Sequence, residues 1–143
     1  MSGIVVIKCG GSTLEQLSDD FFQSISKLKQ EGKHPVLVHG GGPDINQMLE
    51  QLSIESEFVD GLRKTTSVVL DTVEMVLCGR VNKQLVKRTQ EGEGLAIGLA
   101  GCDANLLMVK PVNVEKLGYV GEPIEVNADL IHTLIDQQLI PVI

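Results

Sequence analysis

Residues 35–52 read PVLVHGGGPDINQMLEQL. An unbroken apolar run passes into three glycines, and the glycines pass into a pattern in which Ile45, Met48, Leu49 and Leu52 recur at helical spacing. A short apolar run without polar alternation describes a strand buried on both faces, as in a parallel sheet. Gly42 suits a helix cap and Pro43 the first helical position, where a missing N–H costs nothing. The stretch therefore reads as strand, tight loop, amphipathic helix. That unit is the building block of an α/β fold.

The same device occurs upstream, where residues 4–14 read IVVIKCGGSTL. Here a β-branched run over 4–7, again expected to be buried on both faces, ends on Lys8 and is followed by Gly10 and Gly11. Ser18 is placed to cap a helix carrying Asp19 and Asp20 in its first turn, with Phe22, Ile25 and Leu28 on one face and Gly32 as its stop. Downstream, FVDGLRKT at 58–65 holds an Asp-Gly pair between two short extended pieces, a hairpin signal. A long helix is expected over 67–88, irregular near Gly79. A Gly-rich strand and turn follow from Gly94, then strands over 106–110 and 119–125 joined by a loop holding Gly118. A helix capped by Asn127 runs to about Gln138, and LIPVI at 139–143 is a further buried-type strand. Strand and helix alternate throughout, which predicts a mainly parallel sheet covered on both faces. The apolar end at 139–143 leads to the expectation that the fold continues past Ile143.

Composition removes several classes of function. The 143 residues carry a net charge of −7 and only 3% aromatics, whereas a nucleic-acid surface needs a basic patch and stacking platforms. No apolar stretch reaches the ~20 residues of a bilayer span, and the N-terminus lacks the pattern of a secretion signal, so a cytoplasmic protein is expected. Cys9, Cys78 and Cys102 are scattered and share no metal-ligand spacing. They read as buried thiols in a reducing compartment, and no metal site is expected.

The chemistry is expected at the carboxyl ends of the strands, where ligands bind in open α/β sheets. Glycines there serve tight turning, or they let backbone amides approach an anion beside a helix N-terminus. Two such loops in series, one preceded by Lys8, favour a phosphoryl cradle, although neither a Walker A nor a GxGxxG pattern is present. Lys8 is then either a solvated strand-end charge or a cation aimed at phosphoryl oxygens. His39 reads as a hydrogen-bonded core histidine, with a general base as the alternative. Arg63, after the Asp-Gly turn, suits a bidentate grip on a carboxylate. Lys64 beside it reads as exposed. Asn82 and Lys83 are attributed to helix solvation and Asp103 to a turn cap.

Taken in order, IKCGG, VHGGGP, DGLRKT, VNKQLV, GLAGCD and GYVGEP resemble the amino-acid kinase family over the whole chain. Within it they are most similar to the members that use ATP to phosphorylate the side-chain carboxylate of N-acetyl-L-glutamate in arginine biosynthesis. The resemblance implies a three-layer αβα sandwich of which residues 1–143 form the N-terminal, amino-acid-substrate lobe. It assigns Lys8 to transition-state stabilisation, Gly10, Gly11 and Gly41 to the phosphoryl group, and Gly41, Gly42 and Arg63 to the substrate. ATP with Mg2+ is expected mainly on a C-terminal lobe beyond Ile143, and the isolated lobe is expected to be inactive. A homodimer through the long helix, insensitive to arginine, is implied as well, although that helix's apolar residues suit the sheet equally. Another acceptor, or a non-catalytic amino-acid or anion-binding module, are the competing readings.

A carboxylate acceptor is ionised at neutral pH, well above its ~4.3 reference pKa, and needs no general base. The catalytic problem is charge neutralisation between two anions.

Overall fold

The computed structural model describes residues 3–143. Four strands, β1 (Ile4–Cys9), β2 (His34–His39), β5 (Ala96–Gly98) and β8 (Ile140–Val142), form a parallel sheet in the order β1-β2-β8-β5. Its principal helices are α1 (Asp19–Gln30), α2 (Gly42–Gln51), α3 (Ser67–Glu74), α4 (Asn82–Glu91) and α6 (Ala128–Asp136). Two antiparallel pairs stand apart: the hairpin β3 (Phe58–Val59) and β4 (Leu62–Arg63), and the ribbon β6 (Leu107–Pro111) and β7 (Gly121–Val126). The α/β class and the mainly parallel sheet are as the alternating pattern predicts.

Local signals act where they were read. The Ser18 side chain accepts from the Phe21 N–H at 3.3 Å, a cap worth about 1 kcal/mol. Gly32 ends the first helical segment at φ +76°. In the hairpin, Asp60 and Gly61 both have positive φ, 51° and 81°, as a two-residue turn between right-twisted strands requires. The helix after the triple glycine starts one residue earlier than its sequence suggests. Gly41 is the N-cap and Pro43 lies just inside.

One core is built on one sheet face. Phe22 and Ile25 of α1, Leu37 of β2, Ile45 and Leu49 of α2, Val69 of α3, Leu85 of α4 and Ile140 and Val142 of β8 form a single buried cluster. Leu52, expected on the same helical stripe, is instead 49% exposed. Of the three thiols expected to be buried, Cys9 is, whereas Cys78 is half-buried between α3 and α4 and Cys102 lies exposed in the turn after β5.

The first strand departs from expectation. Ile7 packs against the core, so Val5, Ile7 and Cys9 face it while Ile4, Val6 and Lys8 point to the opposite face. On that face Val6 is 65% exposed, whereas Pro141 of β8 is fully buried and α6 packs against β8. The expectation of burial on both faces is thus corrected: β1 is an edge strand, and the second face is covered over β8 but open over β1.

The irregularity foreseen near Gly79 is a π-helical segment, Met75–Val81, joining α3 to α4. Its wider turn keeps Val76 and Val81 buried on either side of the exposed Gly79. A short helix, α5 (Val114–Leu117), was not anticipated. It ends at Gly118, and the Thr65 N–H donates to the Leu117 carbonyl while the Tyr119 N–H donates to the Thr65 carbonyl, both at 2.8 Å. These bonds, with the Lys116–Asp60 ion pair at 2.9 Å, clasp the β3–β4 hairpin against residues 117–119.

Gly118 sits at φ +69°, and a Cβ there would lie 2.2 Å from the Thr65 carbonyl oxygen. Gly118→Ala is expected to lower stability by about 1–3 kcal/mol, measured by urea unfolding, and to loosen the hairpin that carries Arg63.

Candidate functional site: two apposed glycine loops

The loop after β1 and the loop after β2 are in direct backbone contact. The Gly40 N–H donates to the Cys9 carbonyl at 3.3 Å. A Cβ placed on Gly11 would lie 2.8 Å from the Gly41 nitrogen and 2.9 Å from the Gly42 nitrogen. Glycine is required at position 11 because no other residue leaves that space open. Neither the Gly41 nor the Gly42 amide donates to a backbone carbonyl among the described residues, as expected for the orphan donors of a helix start. Two amides without a backbone acceptor and a helix N-terminus therefore lie against the backbone of Gly11. Clustered backbone donors of this kind attract an anionic group.

Gly41 is fixed from behind by the π segment. A Cβ there would meet Leu77 at 2.6 Å and Val81 at 3.3 Å. Gly10 and Gly42 differ: a Cβ on Gly10 would make only an ordinary 3.5 Å contact with Thr13, and one on Gly42 would meet nothing within 4 Å. Of the four glycines, position 11 is the one that backbone packing dictates; at position 41 the tip of the Leu77 side chain would have to turn aside.

Lys8 lies at the carboxyl end of β1, exposed on the open sheet face, and forms no ion pair or hydrogen bond among the described residues. It is an uncompensated cation one residue before Cys9 and two before the first glycine loop.

Arg63 is half-buried in a polar seat. Its Nη2 donates to Asn46 Oδ1 of α2 at 2.7 Å, its Nη1 donates to Ser56 Oγ, and the guanidinium stacks 4.6 Å from the Phe58 ring centroid. Burial pulls its pKa below the ordinary arginine value, and it stays charged at neutral pH. No carboxylate pairs with it among the described residues, so neutral groups orient the fork and leave its charge available. Its neighbour Lys64 is tied to Glu57 at 2.9 Å.

His39 is half-buried, with Nδ1 2.9 Å from the Gly40 carbonyl and Nε2 3.2 Å from Asn82 Nδ2. Both ring nitrogens are engaged by protein, which favours the core-histidine reading over the base. Asn82 is the residue that reading by type misplaced. It is 1% exposed rather than solvated, and its amide also donates to the Val142 carbonyl at 2.9 Å. A signal was present: Asn82, Leu85 and Thr89 share one helical stripe, and all three are buried. Lys83 is exposed but reaches back to Asn82 Oδ1 at 3.0 Å. Asp103 behaves as expected, its carboxylate accepting the Ala100 N–H at 2.7 Å in the turn after β5.

Among the described residues no group of three or more His, Cys, Asp or Glu side chains is placed to hold a metal ion. Among the same residues no helix is long and apolar enough to cross a membrane.

The sequence model of the amino acid kinase family matches residues 3–143. The chain belongs to that family. Among its curated relatives, an acetylglutamate kinase from Halalkalibacterium halodurans is 53% identical over all 143 residues, which cover 55% of that protein. A solved structure, smu.665 from Streptococcus mutans UA159, superposes with a TM-score of 0.92 at 29% identity, over 98% of this chain and 57% of the other. A Giardia carbamate kinase shares the fold alone, with a TM-score of 0.61 at 14% identity, over 99% of this chain and 59% of that one. The chain thus spans about half the length of the curated amino acid kinases it matches.

Proposed function

We propose that residues 3–143 are the acceptor-side lobe of an ATP-dependent kinase that phosphorylates the side-chain carboxylate of N-acetyl-L-glutamate. The observation that carries this reading is the apposition of Gly11 to the unpaired amides of Gly41 and Gly42, with the unpaired cation Lys8 on the strand entering the loop. The 53% identity to an acetylglutamate kinase over the whole chain supports N-acetyl-L-glutamate as the acceptor.

The transferring phosphoryl group is seated against Gly10, Gly11 and Gly41, with Lys8 neutralising its oxygens as charge moves from donor to acceptor. Gly41 and Gly42 offer amides to the acceptor carboxylate. Arg63, held by Asn46 and Ser56, grips the α-carboxylate. ATP with Mg2+ supplies the phosphoryl group and further charge neutralisation. The amides and Lys8 fit phosphate oxygens, whereas the nucleotide and metal are assigned mainly to sequence outside this chain, in keeping with relatives nearly twice as long. A cytoplasmic homodimer in arginine biosynthesis is part of the same reading, with the exposed Val68 and Met75 of the long helix, 53% and 61% exposed, as its contact surface.

The test is formation of an acyl phosphate, trapped as a hydroxamate, by the complete protein offered N-acetyl-L-glutamate, aspartate, glutamate or carbamate. Turnover restricted to N-acetyl-L-glutamate supports the proposal; preference for another acceptor, or no turnover with any, overturns it. In the same assay Arg63→Ala is expected to raise the acceptor KM by ~10- to 100-fold, the worth of a charge-assisted hydrogen bond. Arg63→Lys restores little of it, because lysine lacks the planar fork.

A further inference from the structure

We propose that His39 and Asn82 form a positioning relay that sets the direction of the Gly41 amide. The inference rests on the kinase reading above for its functional consequence, and on hydrogen-bond geometry for its existence.

Asn82 is held in one orientation. Its Nδ2 donates to the Val142 carbonyl of β8 at 2.9 Å, and its Oδ1 accepts from Lys83 Nζ at 3.0 Å. With the amide so locked, its second N–H has two acceptors in reach, His39 Nε2 at 3.2 Å and the Leu99 carbonyl at 3.5 Å, and His39 is the nearer. A nitrogen that accepts a hydrogen bond carries no proton, so the ring proton of neutral His39 resides on Nδ1. Nδ1 then donates to the Gly40 carbonyl at 2.9 Å.

The carbonyl of Gly40 and the N–H of Gly41 belong to one planar trans peptide and point in opposite directions. Fixing the carbonyl fixes the amide. The restraint matters because glycines flank this peptide on both sides, and an unrestrained Gly-Gly peptide rotates at little steric cost. The chain of contacts thus runs from the buried start of α4, through a histidine, to the donor that faces Gly11. It turns a flexible glycine loop into a preorganised one, the condition under which a backbone donor contributes most to a transition state. His39 and Asn82 touch no reacting atom in this scheme and are positioning residues.

The complete protein tests the relay in two ways. Long-range 15N–1H NMR of the unmodified protein is expected to report His39 as the Nδ1–H tautomer; the Nε2–H tautomer overturns the relay. Two substitutions then divide its links. His39→Asn, whose amide nitrogen can occupy the Nδ1 position, keeps the donor to Gly40 and is expected to retain most of kcat. His39→Gln places its amide near the Nε2 position and loses the Gly40 link. It is expected to lower kcat by ~10²-fold with a smaller change in the acceptor KM, and to broaden or shift the Gly41 amide resonance. Equal effects of the two variants on kcat, or an unmoved Gly41 resonance in His39→Gln, overturn the proposal and leave a purely structural histidine. If no acceptor is phosphorylated, the kinase reading fails separately, because tautomer and amide resonance are read without turnover.

Discussion

Lys8→Ala in the complete protein is expected to lower kcat for phosphoryl transfer by ~10²–10³-fold, the usual loss on deleting one preorganised charge-stabilising group. The acceptor KM should change little, because in this account Lys8 acts on charge that develops only as the phosphoryl group moves. Stability should be unaffected. Lys8 is exposed, without an ion pair among the described residues, so nothing in the folded lobe depends on its charge. Steady-state kinetics with a thermal melt of the same preparation separate these terms. A variant whose melting temperature falls together with its activity would instead mark Lys8 as structural.

Gly11→Ala is expected to be the second severe lesion, for a different reason. One added methyl would sit 2.8 and 2.9 Å from the Gly41 and Gly42 nitrogens and 3.1 Å from the Gly41 Cα. These are backbone atoms, so the two loops must separate. Separating the loops moves the amides proposed to act on the phosphoryl group, and displacement of such donors by even about 1 Å costs ~10²-fold in rate. Gly10→Ala is the informative contrast: its methyl meets only Thr13 Oγ1 at 3.5 Å, and a smaller loss is expected. Single-turnover rates of both variants check the ordering; a greater loss for Gly10→Ala would contradict it.

Most of the fold could be read from residues whose signals are local. The Ser18 cap and the Asp60-Gly61 turn act through atoms a few positions away, and each appears where its chemistry places it. The glycine-rich loops after β1 and β2 were legible as turns because each follows an apolar run, but what demands glycine at position 11 lies 30 and 31 residues away in Gly41 and Gly42. What sequence hid was non-local. A β-branched run such as IVVI looks the same with one face covered or two, and only the strand order reveals that β1 is an edge with Val6 open to solvent. The short helix Val114–Leu117 has too few residues to show a period. Asn82 was misjudged because a polar residue on a helix ordinarily faces water, and its partners His39 and Val142 lie 43 and 60 positions away. Burial of such a group is tolerable only when its hydrogen bonds are satisfied, and here they are.

The apposed glycine loops are proposed to receive the reacting carboxylate and phosphoryl group. The decisive measurement is a titration of the complete protein, labelled with 15N at glycine, with N-acetyl-L-glutamate. Saturable shifts of the Gly11, Gly41 and Gly42 amides, with Gly32 and Gly94 unmoved, are the predicted result. Saturable binding that leaves those three amides unperturbed would contradict it.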